Sequence, residues 1–211
     1  MYKYVKRWLD IVISIVILAL GLIPMALVAL LIKLDSPGPV LFKQQRYGKN
    51  KKAFKIYKFR TMNTNTPRNV STYNLVNSEQ YITGVGHLLR KFGIDEIPQL
   101  FNILKGEMSF IGPRPVILSE QELIKERDRY NANTVLPGIS GWAQANGRDE
   151  LHPIKKAQLD GYYVAHFGLL MDIKCVLRTI AIIFSSKGFC EGETNFVKNT
   201  MLGEANESKT H

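Results

Sequence analysis

The dominant pattern in the chain is a run of 22 residues, Ile11 to Ile32, with no charge and almost wholly aliphatic side chains. As an α-helix rising ~1.5 Å per residue, it would measure about 33 Å, enough to cross a hydrocarbon layer. No small-x-small cleavage pattern with a polar start follows it, which speaks against a cleaved signal peptide. A buried core helix would be shorter and would carry a polar face. The run is read as a membrane-inserted helix. Downstream, Asp35–Gly48 reads as a turn punctuated by Pro37, Gly38 and Pro39, followed by a short strand. Phe54–Met62, FKIYKFRTM, alternates basic and apolar side chains and predicts a strand with one wet, positive face.

Residues 63–80 are rich in Asn, Thr and Ser and read as a loop. The segment 86–104 holds two apolar helical stretches broken around Gly93 and Pro98, and 119–130 forms a charged helix whose charges make a solvated face. Residues 134–149 are too dense in Gly, Pro and Asn for a helix and predict a structured loop. Helical spacing returns over 154–184, where Leu169, Ile173, Val176, Leu177, Ile180 and Phe184 share a face and Asp172, Lys174 and Arg178 lie off it. Such a helix suits either a core or a membrane interface. The expected fold is α+β, mostly helical with a small sheet, and no internal repeat or second large domain is visible.

Charge sharpens the membrane reading. Residues 1–60 carry 12 of the 28 basic residues and 2 of the 18 acidic ones, so the whole net charge of +10 lies there. This placement excludes a generally nucleic-acid-coating protein. Lys3, Lys6 and Arg7 precede the apolar run; Lys33, Lys43, Arg46 and further basic residues up to Arg60 follow it. Both flanks therefore favour the cytoplasmic side. Pro24 removes a backbone hydrogen bond near the middle of the run, with Gly21 three residues earlier. Two paths remain: a kinked span whose larger positive flank prevails, or a re-entrant helix-break-helix that enters and leaves through one leaflet. Basic residues beside the membrane attract anionic headgroups by about 1 kcal/mol each, which accounts for part of the 33–60 cluster. Two cysteines, Cys175 and Cys190, offer no disulfide framework and suit a reducing, cytosol-facing compartment.

No phosphate-binding loop, dinucleotide fingerprint, nucleophile elbow or His-Glu-x-x-His motif is present, and the four histidines are scattered. What remains is built of carboxylates and arginines. Asp95-Glu96, before Pro98, suits the first turn of a helix, where two neighbouring carboxylates point about 100° apart and can divide their tasks. One could hold Mg²⁺ while the other attacks or accepts a proton; the alternative is a surface cap. In Gly112-Pro113-Arg114-Pro115 two prolines stiffen the backbone around one guanidinium, a way to present a bidentate fork to a phosphate. Arg148 follows the turn-rich stretch Gly141–Gly147 with the aromatic Trp142 close by. Each arginine alone is more often a structural ion pair than a ligand. Together, in a membrane-anchored chain, these groups suit phosphoryl transfer to or from a lipid.

The same residues resemble the bacterial sugar transferases, the monotopic polyprenyl-phosphate phosphoglycosyl transferases. The resemblance runs through Lys6-Arg7 with Asp10, Ser36–Val40, Phe54–Met62, Asp95–Asn102, Lys105–Pro115, Pro137–Gln144 and Asn146–Arg148. It implies the small, catalytic-core form: a re-entrant membrane hairpin over 1–34, a cytosolic catalytic domain over 35–187 and a mobile polar tail over 188–211, held on the cytoplasmic face of the bacterial inner membrane. The family reaction moves a sugar-1-phosphate from a UDP-sugar to a polyprenyl phosphate such as undecaprenyl phosphate and releases UMP, opening polysaccharide or glycoconjugate assembly. Carried over residue by residue, Asp95 is the nucleophile of an aspartyl phosphosugar intermediate, and Glu96 helps hold Mg²⁺ beside it. Arg114 and Arg148 take phosphates, with Lys58 and Arg60 in support and Trp142 and Gln144 as further substrate contacts. Two other readings compete: a non-catalytic anchored module that binds anionic lipid through 33–60, and a glycosyl transferase that releases UDP. The amphipathic 169–184 helix also offers a surface for a homo-oligomer.

Overall fold

A computed structural model describes residues 1–67, 78–147 and 151–185. The chain opens with one helix, α1 (Tyr2–Asp35), that runs through Pro24 without ending. Proline withdraws one backbone donor and crowds the turn before it, yet its fixed φ is helical. Pro24 therefore stands inside one helix rather than between two separate ones, at the cost of one backbone hydrogen bond. Most of the apolar surface of α1 is uncovered, with Leu20, Leu22 and Ile23 each at least 70% exposed.

Both ends of α1 are fastened to the domain that follows. Near the start, Lys6 donates to Asp172 Oδ2 at 2.5 Å, Arg7 donates to the carbonyls of Ile103 and Leu104, and Asp10 accepts from the Phe110 amide. At the far end Ile32 is buried against Phe59 and Leu89, and Asp35 Oδ2 accepts from the Val85 amide. Arg60 seals this end: its guanidinium donates to the carbonyls of Ile32, Ser36 and Pro37. Helix C-termini leave carbonyls without partners, and a cation there also meets the negative end of the helix dipole.

The strand expected over 54–62 forms as β2 (Ala53–Phe59), and the short strand before it as β1 (Leu41–Tyr47). They pair antiparallel, with Phe42 opposite Lys58 and Gln44 opposite Ile56. Helix α2 (Gly84–Lys91) is capped by Thr83, whose hydroxyl accepts from the Gly86 amide. Helix α3 (Leu100–Lys105) ends at Gly106 in the left-handed conformation. Two very short strands follow, β3 (Ser109–Ile111) and β4 (Val116–Ile117), the latter pairing antiparallel with the outer edge of β1. The charged helix is α4 (Gln121–Arg129), and β5 (Gly138–Ser140) lies parallel to β3. The helical stretch at the end divides around His166–Gly168 into α5 (Pro153–Ala165) and α6 (Leu169–Ser185).

Among the described residues the fold is thus mostly helical with two small sheets. Ile56, Leu100, Ile103 and Met108 form a core cluster onto which Leu18 of α1 packs. Ile111, Tyr163, Met171 and Cys175 form another, which holds the inner side of α6. The other side of α6 stays open: Leu169, Leu170, Ile173, Val176, Leu177 and Ile180 are all exposed. Of the two settings the amphipathic spacing allowed, the core is not where this face lies. The tail beyond Gly188, with Cys190, and Arg148 lie outside the described residues.

Candidate active site

Gly93, in the left-handed conformation at φ 68°, turns the chain out of α2 into a six-residue 3₁₀ segment, Ile94–Gln99. Asp95 and Glu96 occupy its first turn, as expected, although in a tighter and shorter helix than an α-helix. Pro98 sits inside the segment and is tolerated there, and the chain passes straight into α3. The segment packs against β2, which brings Lys58 over both carboxylates. Its ammonium lies 2.5 Å from Glu96 Oε1 and 3.9 Å from Asp95 Oδ2. Arg114 also reaches Glu96 Oε1, at 3.2 Å.

The two acids are driven apart. Burial alone raises the Glu96 carboxyl, but Lys58 and Arg114, by charge and by hydrogen bond, outweigh it and hold the group down to about 2. For Asp95 burial is the largest influence and pushes it above the ordinary aspartate range. Lys58 pulls it back, the Glu96 charge pushes it up further, and Arg90 and Arg114 pull it down. Glu96 is thus a fixed anion, whereas Asp95 is a buried carboxylate with incomplete compensation, the type of group that gains from a further cation.

This bears on Mg²⁺. Among the described residues no group of three or more His, Cys, Asp or Glu could hold a metal ion. Mg²⁺ commonly binds through one or two carboxylates, the other positions being filled by water and substrate phosphate oxygens. The undercompensated Asp95 beside the ionised Glu96 fits that donor set.

A narrow cleft next to the pair is lined by Arg46, Ile56, Lys58, Gln99, Arg114 and Pro115. Three of its six lining residues are cations, so it suits an anionic ligand. The backbone of the Pro-Arg-Pro element is held by its carbonyls, because its two prolines have no N–H to give. The Gly138 amide donates to Pro113 O at 2.9 Å, Arg127 Nη1 to Arg114 O at 2.9 Å and Arg46 Nη1 to Pro115 O at 3.1 Å.

Of the residues anticipated from sequence, Asp95, Glu96, Lys58 and Arg114 meet at one place. Arg60 does not join them, because its guanidinium is spent on the α1 terminus. Trp142 is engaged within the protein: it stacks on Tyr162 at 5.8 Å, and the Arg178 guanidinium lies 4.7 Å from its ring centre. Gln144 lies in the turn after Gly141, with both polar atoms of its side chain buried and without a hydrogen-bond partner.

Three residues were missed. Arg90 acts on Asp95 and donates to Thr61 Oγ1 at 2.8 Å; its place beside the acid pair in sequence was the available signal. Arg127 and Asp160 form a buried pair behind Arg114, with Arg127 Nη2 2.6 Å from Asp160 Oδ2. The charges of α4 are therefore not all solvated. Arg127 shares a helical face with the buried Leu123 and Ile124, and that spacing was legible in the sequence.

A carboxylate pair ringed by lysine and arginine thus lies on a domain fastened at two points to a long apolar helix that is largely exposed. The family description "Bacterial sugar transferase" matches residues 1–186, and the chain belongs to that family. It is 39% identical over 195 residues to the UDP-N-acetylgalactosamine-undecaprenyl-phosphate N-acetylgalactosaminephosphotransferase of Aeromonas hydrophila, covering 89% of this chain and 45% of that protein. It is 38% identical over 192 residues to the UDP-glucose:undecaprenyl-phosphate glucose-1-phosphate transferase of Escherichia coli K12, covering 88% and 41%. With the exopolysaccharide production protein PSS of Rhizobium leguminosarum it shares 42% identity over 198 residues, covering 87% of this chain and 98% of that one. The chain thus spans less than half of the first two relatives and nearly all of the third.

Proposed function

We propose that the protein transfers a sugar-1-phosphate from a UDP-sugar to undecaprenyl phosphate, releasing UMP, as the opening membrane step of exopolysaccharide or related glycoconjugate synthesis. The observation that carries this reading is the convergence of Lys58 and Arg114 on the Asp95–Glu96 pair. The names of the relatives supply the substrate class.

A carboxylate that attacks a diphosphate is an anion approaching an anion, so the site must offset charge before any bond forms. Arg114 and Lys58 stand where they can do so. An oxygen of ionised Asp95 attacks the phosphorus that bears the sugar. The bond from that phosphorus to the bridging oxygen breaks, and its electron pair leaves with UMP. Asp95 then carries an acyl phosphate to the sugar. In the second half, a phosphate oxygen of the lipid attacks the same phosphorus and returns the electron pair to Asp95, which is restored as a carboxylate. Mg²⁺, held by Asp95 and Glu96, would supply further charge neutralisation at the phosphates.

The membrane path follows the same reading. Both ends of α1 are bound to one domain and both flanks are basic, which supports a re-entrant course through a single leaflet, with the catalytic domain on the cytoplasmic face. The acceptor phosphate lies at that interface.

The decisive assay measures nucleotide release from a panel of UDP-sugars with undecaprenyl phosphate and Mg²⁺, for wild type and Asp95→Asn. UMP from one donor, in wild type only, is expected. UDP instead would make the protein a glycosyl transferase, and binding without any nucleotide release would reduce it to a lipid-binding module.

A further inference from the structure

Arg114 is the half-exposed cation of the site, and the backbone that carries it lacks two of the donors that would normally anchor it. Its own carbonyl is held by Arg127 Nη1 at 2.9 Å. Arg127 is 4% exposed, and its Nε and Nη2 both donate to Asp160 Oδ2, at 2.8 and 2.6 Å. Asp160 is fully buried on α5, so the pair links α4 and α5 to the Pro-Arg-Pro element. Asp160 Oδ1 has no hydrogen-bond partner, and burial pushes the carboxyl up while Arg127 pulls it down.

A buried pair of this kind is seldom the cheapest way to hold two helices together. Apolar residues of similar volume are often as stable or more so. A guanidinium does something an apolar side chain cannot: its planar fork fixes a carboxylate with two donors and still has a third for a carbonyl.

We propose that Arg127, oriented by Asp160, is a positioning residue that aims Arg114 at the anionic substrate. It touches no substrate itself. It holds the Arg114 carbonyl, and so the direction in which that residue's side chain leaves the backbone. The inference rests on the transfer reading for the identity of the anion, but not for the mechanical link.

The test uses the full chain in detergent micelles and two readouts, the affinity for inorganic pyrophosphate and the KM for the active UDP-sugar. Arg127→Lys keeps a charge opposite Asp160 but gives up the fork. It is expected to weaken both by about tenfold, as loss of an aligned charge-assisted hydrogen bond does. Its melting temperature should stay near that of wild type. In an Arg114→Ala background the same substitution should change nothing further, because residues acting through one another are not additive. Arg127→Met with Asp160→Leu, which removes both buried charges together, serves as a second variant if the lysine variant does not fold. The same losses are expected of it, again absent without Arg114.

Equal losses with and without Arg114 would overturn the proposal, as would wild-type pyrophosphate affinity in the folded variants. Failure of the transfer reading looks different. Wild type would then release no nucleotide from any donor, while the Arg114-dependent effect on pyrophosphate binding persists.

Discussion

One ammonium serves two carboxylates unequally: Lys58 lies 2.5 Å from Glu96 Oε1 but 3.9 Å from Asp95 Oδ2. The closer acid is fixed as an anion and the farther one is left raised. In the proposed reaction Asp95 must be ionised to attack, so the acid limb of the rate profile belongs to Asp95. Activity should fall as pH drops through a point above the ordinary aspartate range.

The direction in which that limb moves distinguishes Asp95 from any other group. Lys58 lowers the Asp95 carboxyl, so Lys58→Met should shift the acid limb of kcat/KM to higher pH. Glu96 raises it, so Glu96→Gln should shift the limb to lower pH. Both variants will also lose rate, by about 10²-fold or more for removal of a charge-stabilising group. Profiles that move in the same direction, or not at all, would remove Asp95 from the role of titrating nucleophile.

The open face of α6 offers a second prediction. Leu170 and Leu177 are 76% and 61% exposed, so Glu at both positions should leave the fold within about 0.5 kcal/mol. If this face lies at the membrane surface, the double variant should raise KM for undecaprenyl phosphate in liposomes by about tenfold. A short, soluble isoprenyl phosphate should be used as before. Equal effects on both acceptors would place the face elsewhere, for instance against a second copy of the chain.

The Lys6–Asp172 contact joins α1 to α6 across 166 positions. Tyr2 and Tyr163 also donate to Asp172, and burial, helped by Asp172, pushes the Tyr163 hydroxyl far up. Asp172→Asn leaves a buried ammonium without its counterion and should cost about 3 kcal/mol in thermal unfolding. Lys6→Met with Asp172→Leu should recover most of it. With this clamp intact, cysteines placed at Lys3 and Lys52, in a chain without its native cysteines, should react with an impermeant thiol reagent from the same face of sealed vesicles. Reaction from opposite faces would rule out the re-entrant path.

The residues that the structure gathers around Asp95 and Glu96 were easier to read from the sequence than the scaffold that gathers them. Asp95, Glu96 and Arg114 were legible because each stands in a short pattern with a physical reason for its residue types, whereas Lys58 was singled out only through the family resemblance. Arg60 was misread for a reason that the structure makes plain. Alternation placed it on the same face as Lys58, but the strand ends at Phe59 and the chain turns there to seal α1. Strands β3 and β5 are three residues each and sit among glycines and prolines, too short to show a period. Only their parallel pairing, across nearly thirty residues, makes them strands. The apolar face of α6 was visible from its spacing, but spacing says nothing of what covers it; that required the packing of Met171 and Cys175 on the opposite side.

The distance in sequence between Lys6 and Asp172 is also a distance in time. At 5–20 residues per second, roughly ten to thirty seconds of synthesis separate them. During that interval the apolar helix has left the ribosome, while the carboxylate that will hold its first turn does not yet exist. In the proposed membrane reading the helix meets lipid before the protein can fasten it, and the clamp then preserves an orientation set during synthesis.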